Sequence, residues 1–563
     1  MPSTDELVFI HGPRLAAAGT AADRRRIRSE LMRRLHVERQ TQRQIAGAQV
    51  PSSKVYKYVE EWPPCPGCGA KPSEKPGTVC RKCGMPMKEK KRSRGWKREA
   101  TESKDDINEL ASFPLSRLGS GRIDPFSGTP NTGGMRNIDE LIDHCIKRQM
   151  PSFRRISTWT ERFYEAYMKG AWSPLLFHSS CLAISVHLDL TSRRQGLPDH
   201  HGRALEQLYH KGAALKALQK TLAKPLKFGT TKMDEIILCV CFLAIHDDDV
   251  TMQKDYNPFN PPFQGLQALD FYGCRKFNPC HLDAVVQLVR QNGGFQTIKY
   301  YGAPWFLSYT SLKHAMATST KPMFPISDPT GKQYGDTPPL KILQIPAKPF
   351  HRTFNRGFHQ LKALRVKDHI IKTLVHVGEL AQCVQLCIPR ENEAETTDLL
   401  GDARNTVQYR VLFLPKPSDP LNNIFDDTPP VSAVEIYNAC WLATSIFTMH
   451  VTFPGRQTHS VRERFVPLLQ DAISEVDCLF NDKGLSDILL WCTMIGGIAA
   501  EDVHPGQRAW YTAQLRKLCV ALDVDDWTYM KGLMRSFAWI DSGCDDSGYR
   551  LWTEAHALDE LSG

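Results

Sequence analysis

Residues 205–222 read LEQLYHKGAALKALQKTL, and in them Leu205, Leu208, Ala213, Leu215, Leu218 and Leu222 fall at spacings that line one side of an α-helix. Further on, Ile236-Ile237-Leu238-Cys239-Val240-Cys241-Phe242-Leu243-Ala244-Ile245 is the longest apolar run, ten residues closed by His246-Asp247-Asp248-Asp249. A bilayer span needs about 20 apolar residues, so this run reads as a helix buried in protein.

The same periodicity predicts helices near 138–148, 157–169, 173–192, 230–246, 280–292, 366–388, 430–450, 461–480, 485–500, 507–522 and 526–538. Period-two alternation, the mark of a half-buried strand, is scarce. Pro-rich stretches at 257–263, 337–353 and 415–430 read as loops between helix groups. The expected fold is all-α, with one large helical domain over residues 138–563. A basic arm over 1–50, a small four-cysteine module over 51–98 and a Ser/Gly/Pro/Asp-rich linker over 99–137 precede it.

Composition sets the class. Of 563 residues, 42 % are hydrophobic and 23 % charged, as in a soluble globular protein. No charged-then-apolar leader opens the chain, which points to an intracellular protein with no membrane partner. Four of the seventeen cysteines form a pattern; the other thirteen sit in apolar surroundings and read as reduced core residues. Charge is unevenly placed. Residues 1–100 hold 22 Lys+Arg against 10 Asp+Glu, while the rest of the chain holds 49 against 51. All the excess positive charge therefore lies at the N-terminal end, which suits a polyanion such as nucleic acid.

The patterned cysteines are Cys65-Pro66-Gly67-Cys68-Gly69 and Cys80-Arg81-Lys82-Cys83-Gly84. Two Cys-x-x-Cys hooks bring four thiolates onto one tetrahedral Zn²⁺ at about 2.3 Å each. The glycine after each hook lets the chain turn its N–H groups toward sulfur. With Cys65, Cys68, Cys80 and Cys83 the coordination shell is full, so the zinc expected here is structural. The alternatives are reduced thiols without metal, or a redox pair.

Around the hooks lie the cations. A helix is predicted from Ala21 to Ile45, with Thr20 as its cap and Asp23 in a capping-box-like position. Ile27, Leu31 and Leu35 make a narrow apolar stripe; Arg24, Arg25, Arg26, Arg28, Arg33, Arg34, Arg39 and Arg43 take most of the remaining circumference. That arrangement suits phosphates or an acidic protein partner, and a merely solvated helix is the plain alternative. After the hooks, Lys88-Glu89-Lys90-Lys91-Arg92-Ser93-Arg94-Gly95-Trp96-Lys97-Arg98 is a nuclear-import-like cluster. Its Lys90, Lys91, Arg92, Arg94, Lys97 and Arg98 are candidate phosphate contacts.

Several stretches together resemble the fungal-specific transcription factor domain family. They are Phe9-Ile10 followed by residues Arg24 to Arg34, and Gly121-Arg122-Ile123-Asp124-Pro125-Phe126. The third is Leu490-Trp491-Cys492-Thr493-Met494-Ile495-Gly496-Gly497-Ile498-Ala499-Ala500, with Arg508 and Trp510 behind it. His281, Leu288 and Gly293-Gly294 also match that family's placing. The resemblance implies an all-α regulatory domain, residence in the nucleus and a role in transcription; the expectation is a non-enzymatic regulator whose basic arm contacts nucleic acid, DNA first, or an acidic partner. Where many such regulators carry a six-cysteine binuclear cluster, this chain has the four-cysteine hooks.

Two other readings remain open at this stage. One is a protein-interaction scaffold of the same fold, acting through protein partners or self-association without DNA contact. The other is a helical Mg²⁺-dependent enzyme using His246-Asp247-Asp248-Asp249. No second metal motif accompanies that acidic run, since Asn481-Asp482-Lys483-Gly484 lacks the ligands such a motif needs.

Overall fold

The computed structural model describes residues 138–560, apart from 170–172, 197–200, 247–255, 274, 276, 347–356, 456–457 and 477–482. These residues all belong to one compact unit, Ser127–Gly563. Every element among them is helical; in place of strands there are isolated antiparallel bridges at Ser327–Gln333 and Val366–Phe425. The all-α expectation therefore holds for the described residues.

The α-helices of seven or more residues run in chain order. The first half comprises α1 Ile138–His144, α2 Ser157–Phe163, α3 Pro174–Arg194, α4 His201–Leu222, α5 Thr231–Ile245, α6 Pro279–Gln291 and α7 Ala303–Thr318. The second comprises α8 Asp368–Cys387, α9 Ala394–Phe413, α10 Ala433–Phe447, α11 Thr458–Ser474, α12 Lys483–Ala499, α13 Pro505–Leu522, α14 Trp527–Ser536 and α15 Asp541–Glu560. Local chemistry starts and stops them. Asn278 caps α6 by accepting from the backbone N–H groups of Cys280 and His281 at 3.1 and 3.3 Å, and Pro279 opens the helix. Gly293 and Gly294, at φ of 98° and 101°, end the run with a turn that side chains resist. Asp526 caps α14 through the Tyr529 N–H at 2.8 Å.

Packing forms two connected groups. α3, α4 and α5 lie against one another, α6 packs on α5, and α5 is buried from Met233 to Ile245, as its unbroken apolar run requires. Beside it Trp159, Phe163, Tyr167, Trp305 and Phe306 form an aromatic cluster with ring centroids 4.3–6.4 Å apart. The second group packs α8 on α9, α10 on α11 and α12, and α13 on α12 and α15, around one continuous apolar core. α12 is tightest. A Cβ on Gly496 would meet the Tyr511 ring at 2.5 Å, and one on Gly497 would meet Leu551 at 2.4 Å. Those glycines are close-packing points between helices. α7 joins the groups by packing on both α5 and α9.

The helix expected from the Leu205–Leu222 spacing forms as α4. The Leu205, Leu208, Ala213, Leu215, Leu218, Leu222 stripe of α4 does not face the core as a unit. Glu206, His210, Ala214 and Leu218 make the buried line, while Leu205 and Leu208 are 69 % and 65 % exposed. The reason lies across the interface. His210 Nδ1 sits 3.0 Å from His178 Nδ1 on α3, and Ala214 is small enough to let the helices close.

Three helices were not expected from periodicity. α7 is buried nearly all round and has no polar face to mark its period. α9 is polar yet internal, burying Asp398, Asp402, Arg404, Asn405, Gln408 and Arg410. α15 opens on Asp541-Ser542-Gly543, which reads as a loop but is held by helix neighbours. The predicted loops at 337–353 and 415–430 contain the short helices Pro339–Ile342 and Leu421–Ile424.

Candidate functional site

The sequence-derived site residues, Cys65, Cys68, Cys80 and Cys83 with Arg24 to Arg34 and Lys90 to Arg98, lie outside the described residues. Asp247, Asp248 and Asp249 do too. Among the described residues no group of three or more His, Cys, Asp or Glu could hold a metal ion. Of the eleven described cysteines only Cys280 is exposed; none forms a disulfide. Burial pushes the thiols of Cys145, Cys239, Cys241 and Cys519 up to about 12, so these stay protonated packing groups.

What the fold does assemble is a pocket of about 260 Å³ where the two helix groups meet. α7 contributes Lys313 and Met316, a π-helical turn at Thr448–Thr452 after α10 contributes Met449, and α11 contributes Val461, Arg464 and Phe465. The π-helical turn inserts a residue into the helix, a distortion often seen at binding sites. Leu269 and Phe453 complete the apolar wall, and Gly273 and Gly455 approach each other at its edge.

The polar groups in this wall are cationic or hydroxylic. Lys313 is buried, its Nζ lying over the rings of Tyr272, Phe277 and Tyr309 at 4.9, 5.5 and 5.5 Å. Two of those rings are themselves pinned. Tyr272 Oη accepts from Gln149 Nε2 at 3.1 Å, and Tyr309 Oη donates to Gln267 O at 2.8 Å. Arg464 is exposed at the rim, stacks on Phe465 at 4.6 Å and donates to Ser319 Oγ at 3.4 Å. No described Asp or Glu lines the pocket.

Beneath it the backbone is strained. Gln267 and Ala268 adopt φ of 56° and 52°, left-handed for residues with a Cβ. Side chains over-determine that turn: Gln267 Oε1 accepts from Arg404 Nη2 and Asn405 Nδ2, each at 2.9 Å. Arg404, lowered to about 10 by burial, stays charged and stacks on Phe453 at 4.6 Å. Lys313 also borders a smaller cavity of about 40 Å³ beside His246. There burial, with Arg275 and Lys313 nearby, holds His246 well below the usual imidazole range. Its Nδ1–H donates to Phe242 O at 2.8 Å, so Nε2 carries the lone pair and has no hydrogen-bond partner among the described residues.

Periodicity could not find this site, because its residues come from segments far apart in sequence. One signal was present: Lys313 interrupts the otherwise apolar and hydroxylic stretch Trp305 to Leu312. A lysine inside a buried helix needs partners, and the three rings under its Nζ are among them. Among the described residues no helix is long and apolar enough to cross a membrane. Comparison with protein-family models, with curated proteins and with solved structures gives no match.

Proposed function

We propose that this chain is a nuclear, transcription-regulator-like protein. Its basic arm, stapled by a structural zinc at Cys65, Cys68, Cys80 and Cys83, contacts DNA or another nucleic acid, and its helical domain carries regulation. One observation carries the reading. Residues 1–100 hold 22 basic against 10 acidic residues, while the remaining 49 basic and 51 acidic residues nearly cancel. Polyanion affinity therefore belongs to the arm. The family resemblance supports the same role, since it implies an all-α regulatory domain.

The test is a filter-binding titration with duplex DNA on the full chain and on a chain lacking residues 1–110. The intact chain should bind with an affinity that falls steeply with salt, by about 0.9 in log–log slope per phosphate contact. The truncated chain should lose retention. Reversing Arg24, Arg25, Arg26, Arg28, Arg33 and Arg34 to Glu should cut both affinity and salt slope. The melting temperature should move little, because exposed charges contribute only ~0–1 kcal/mol each. Equal retention by the truncated chain sinks the proposal.

The zinc is tested separately by metal analysis of purified protein. One zinc per chain is expected, falling to none in Cys68→Ser, because three thiolates leave the structural tetrahedron open. A Cys68→Ser protein that keeps its full metal content refutes this ligand set.

A protein-interaction scaffold of the same fold is the second reading, and α4 favours it. Leu205, Leu208 and Tyr209 are exposed together on one helix, next to Lys211 and Lys216. Exposed apolar side chains grouped on a helix are a frequent mark of a partner surface. A chain that shows no salt-dependent DNA retention, yet is retained by an immobilised protein partner through α4, would move this reading ahead.

A further inference from the structure

We propose that the cavity beside His246 is a water site. About two long-lived waters, hydrogen-bonded to Gln149, Ser180 and His246, join the π-helical turn Cys145–Gln149 to α3 and α5. This goes beyond the nucleic-acid reading and does not depend on it.

Hydrogen-bonding capacity points to the ligand. Gln149, Ser180 and His246 all line this cavity and are only 2 %, 1 % and 7 % exposed. Gln149 Oε1, Ser180 Oγ and His246 Nε2 have no hydrogen-bond partner among the described residues. Buried polar atoms rarely go without a partner, and three around one cavity call for a shared one. Local bonds decide which atoms are left over. Gln149 Nε2 donates to Tyr272 Oη at 3.1 Å and to Ala183 O at 3.4 Å, so Oε1 is the open end of that amide. Having accepted there, the Tyr272 hydroxyl keeps its own hydrogen to donate. His246 is neutral, with its Nδ1–H committed to Phe242 O.

Chemistry and volume then select water. The wall offers acceptors at Gln149 Oε1 and His246 Nε2, a donor at Tyr272 and a hydroxyl at Ser180 that does either. Water, which both donates and accepts, meets that mixture; a purely apolar guest meets none of it. No described Asp or Glu lines the cavity, so a cation finds no counter-charge there. The volume is about 40 Å³. Each water needs at least ~10–15 Å³, whereas a guest the size of benzene needs about 150 Å³. The rest of the lining includes Phe153, Phe163, Phe242 and Phe306, which screen the site from bulk solvent and slow exchange.

The experiment pairs crystallography of the full chain with ¹⁷O relaxation dispersion of its water, which counts long-lived internal molecules. Density for discrete waters is expected at about 2.7–3.2 Å from His246 Nε2 and Gln149 Oε1. Ala183→Leu pushes a branched alkyl group into the cavity and should lower the count by about two waters per chain. Should that variant fail to fold, the crystals of the unaltered chain decide alone. No density at those two atoms overturns the proposal, as does density for a larger molecule. A water count unchanged in folded Ala183→Leu overturns it equally.

Discussion

Acidification from pH 7 toward pH 4 is expected to unfold the helical domain, with urea midpoints falling steeply below about pH 6.5. Five buried histidines dominate, one of them His246, which burial and then Arg275 hold well below the usual imidazole range. Burial lowers His144 from 6.5 to about 4, with Arg148 and Arg203 adding to the effect, and lowers His187 to about 3 and His210 to about 4. Burial and then Arg410 lower His376 to about 4. Geometry agrees. His144 Nε2 and His187 Nδ1 lie 2.8 Å apart, and His178 and His210 share a 3.0 Å contact, so each pair has room for one hydrogen only. Arg410 donates to His376 Nδ1 at 2.7 Å, which requires a lone pair there.

The sign follows from proton counts. Between about pH 6.5 and pH 4 the unfolded chain takes up these protons and the native protein does not, so stability falls as pH falls. Each histidine withdraws up to ~1.4 kcal/mol per pH unit, against a total of roughly 5–15 kcal/mol. Glu206, Asp234, Glu379 and Asp398 are pushed up by burial, act in the opposite direction and offset part of the loss. His376→Gln, whose amide oxygen can still accept from Arg410, should remove about one histidine's share of the slope. Midpoints that stay flat from pH 7 to pH 5 would contradict the native protonation states described here.

Asp402→Ala is the substitution expected to destabilise most, by about 3–5 kcal/mol, because it takes from the buried Arg154 guanidinium its hydrogen-bonded carboxylate, leaving only Asp398, and from Tyr334 its acceptor. Arg154 donates to Asp402 Oδ1 at 2.7 Å and lies 3.7 Å from Asp398 Oδ2; both carboxylates sit on α9, one turn apart. Tyr334 Oη donates to the other Asp402 oxygen at 2.7 Å, and the backbone N–H groups of Arg155 and Ile156 donate to Asp398 at 2.7 and 3.2 Å. This cluster fastens the segment before α2 to the middle of α9. Arg154→Met with Asp402→Leu, which leaves Asp398 its two backbone N–H donors, should recover part of the loss, since the desolvated cation then goes too. A urea double-mutant cycle measures the coupling. A near-zero coupling would mean that the cluster does not hold the two helix groups together.

Sequence alone was sufficient where period and burial act within one segment. Ile236 to Ile245 had to be a helix surrounded by protein, because ten apolar residues without a polar face can satisfy their backbone only internally. Ten of the eleven described cysteines were legible as core residues, since a reduced thiol packs as a small apolar group; Cys280, in the first turn of α6, is exposed instead. The concentration of positive charge in residues 1–100 needed only counting.

Tertiary structure alone decided the rest. Which side of α4 is buried depended on His178 and on the closeness of α3, so Leu205 and Leu208 ended outside although they belong to the apolar stripe. α9 carries Asp398, Asp402, Arg404 and Arg410 into the interior, where Arg154, Gln267 and His376 from distant segments provide their partners. The pocket likewise exists only because α7, the Thr448–Thr452 turn and α11 converge on Lys313. Helical period is a property of neighbouring residues, whereas burying a charge needs partners that only the folded chain brings within reach.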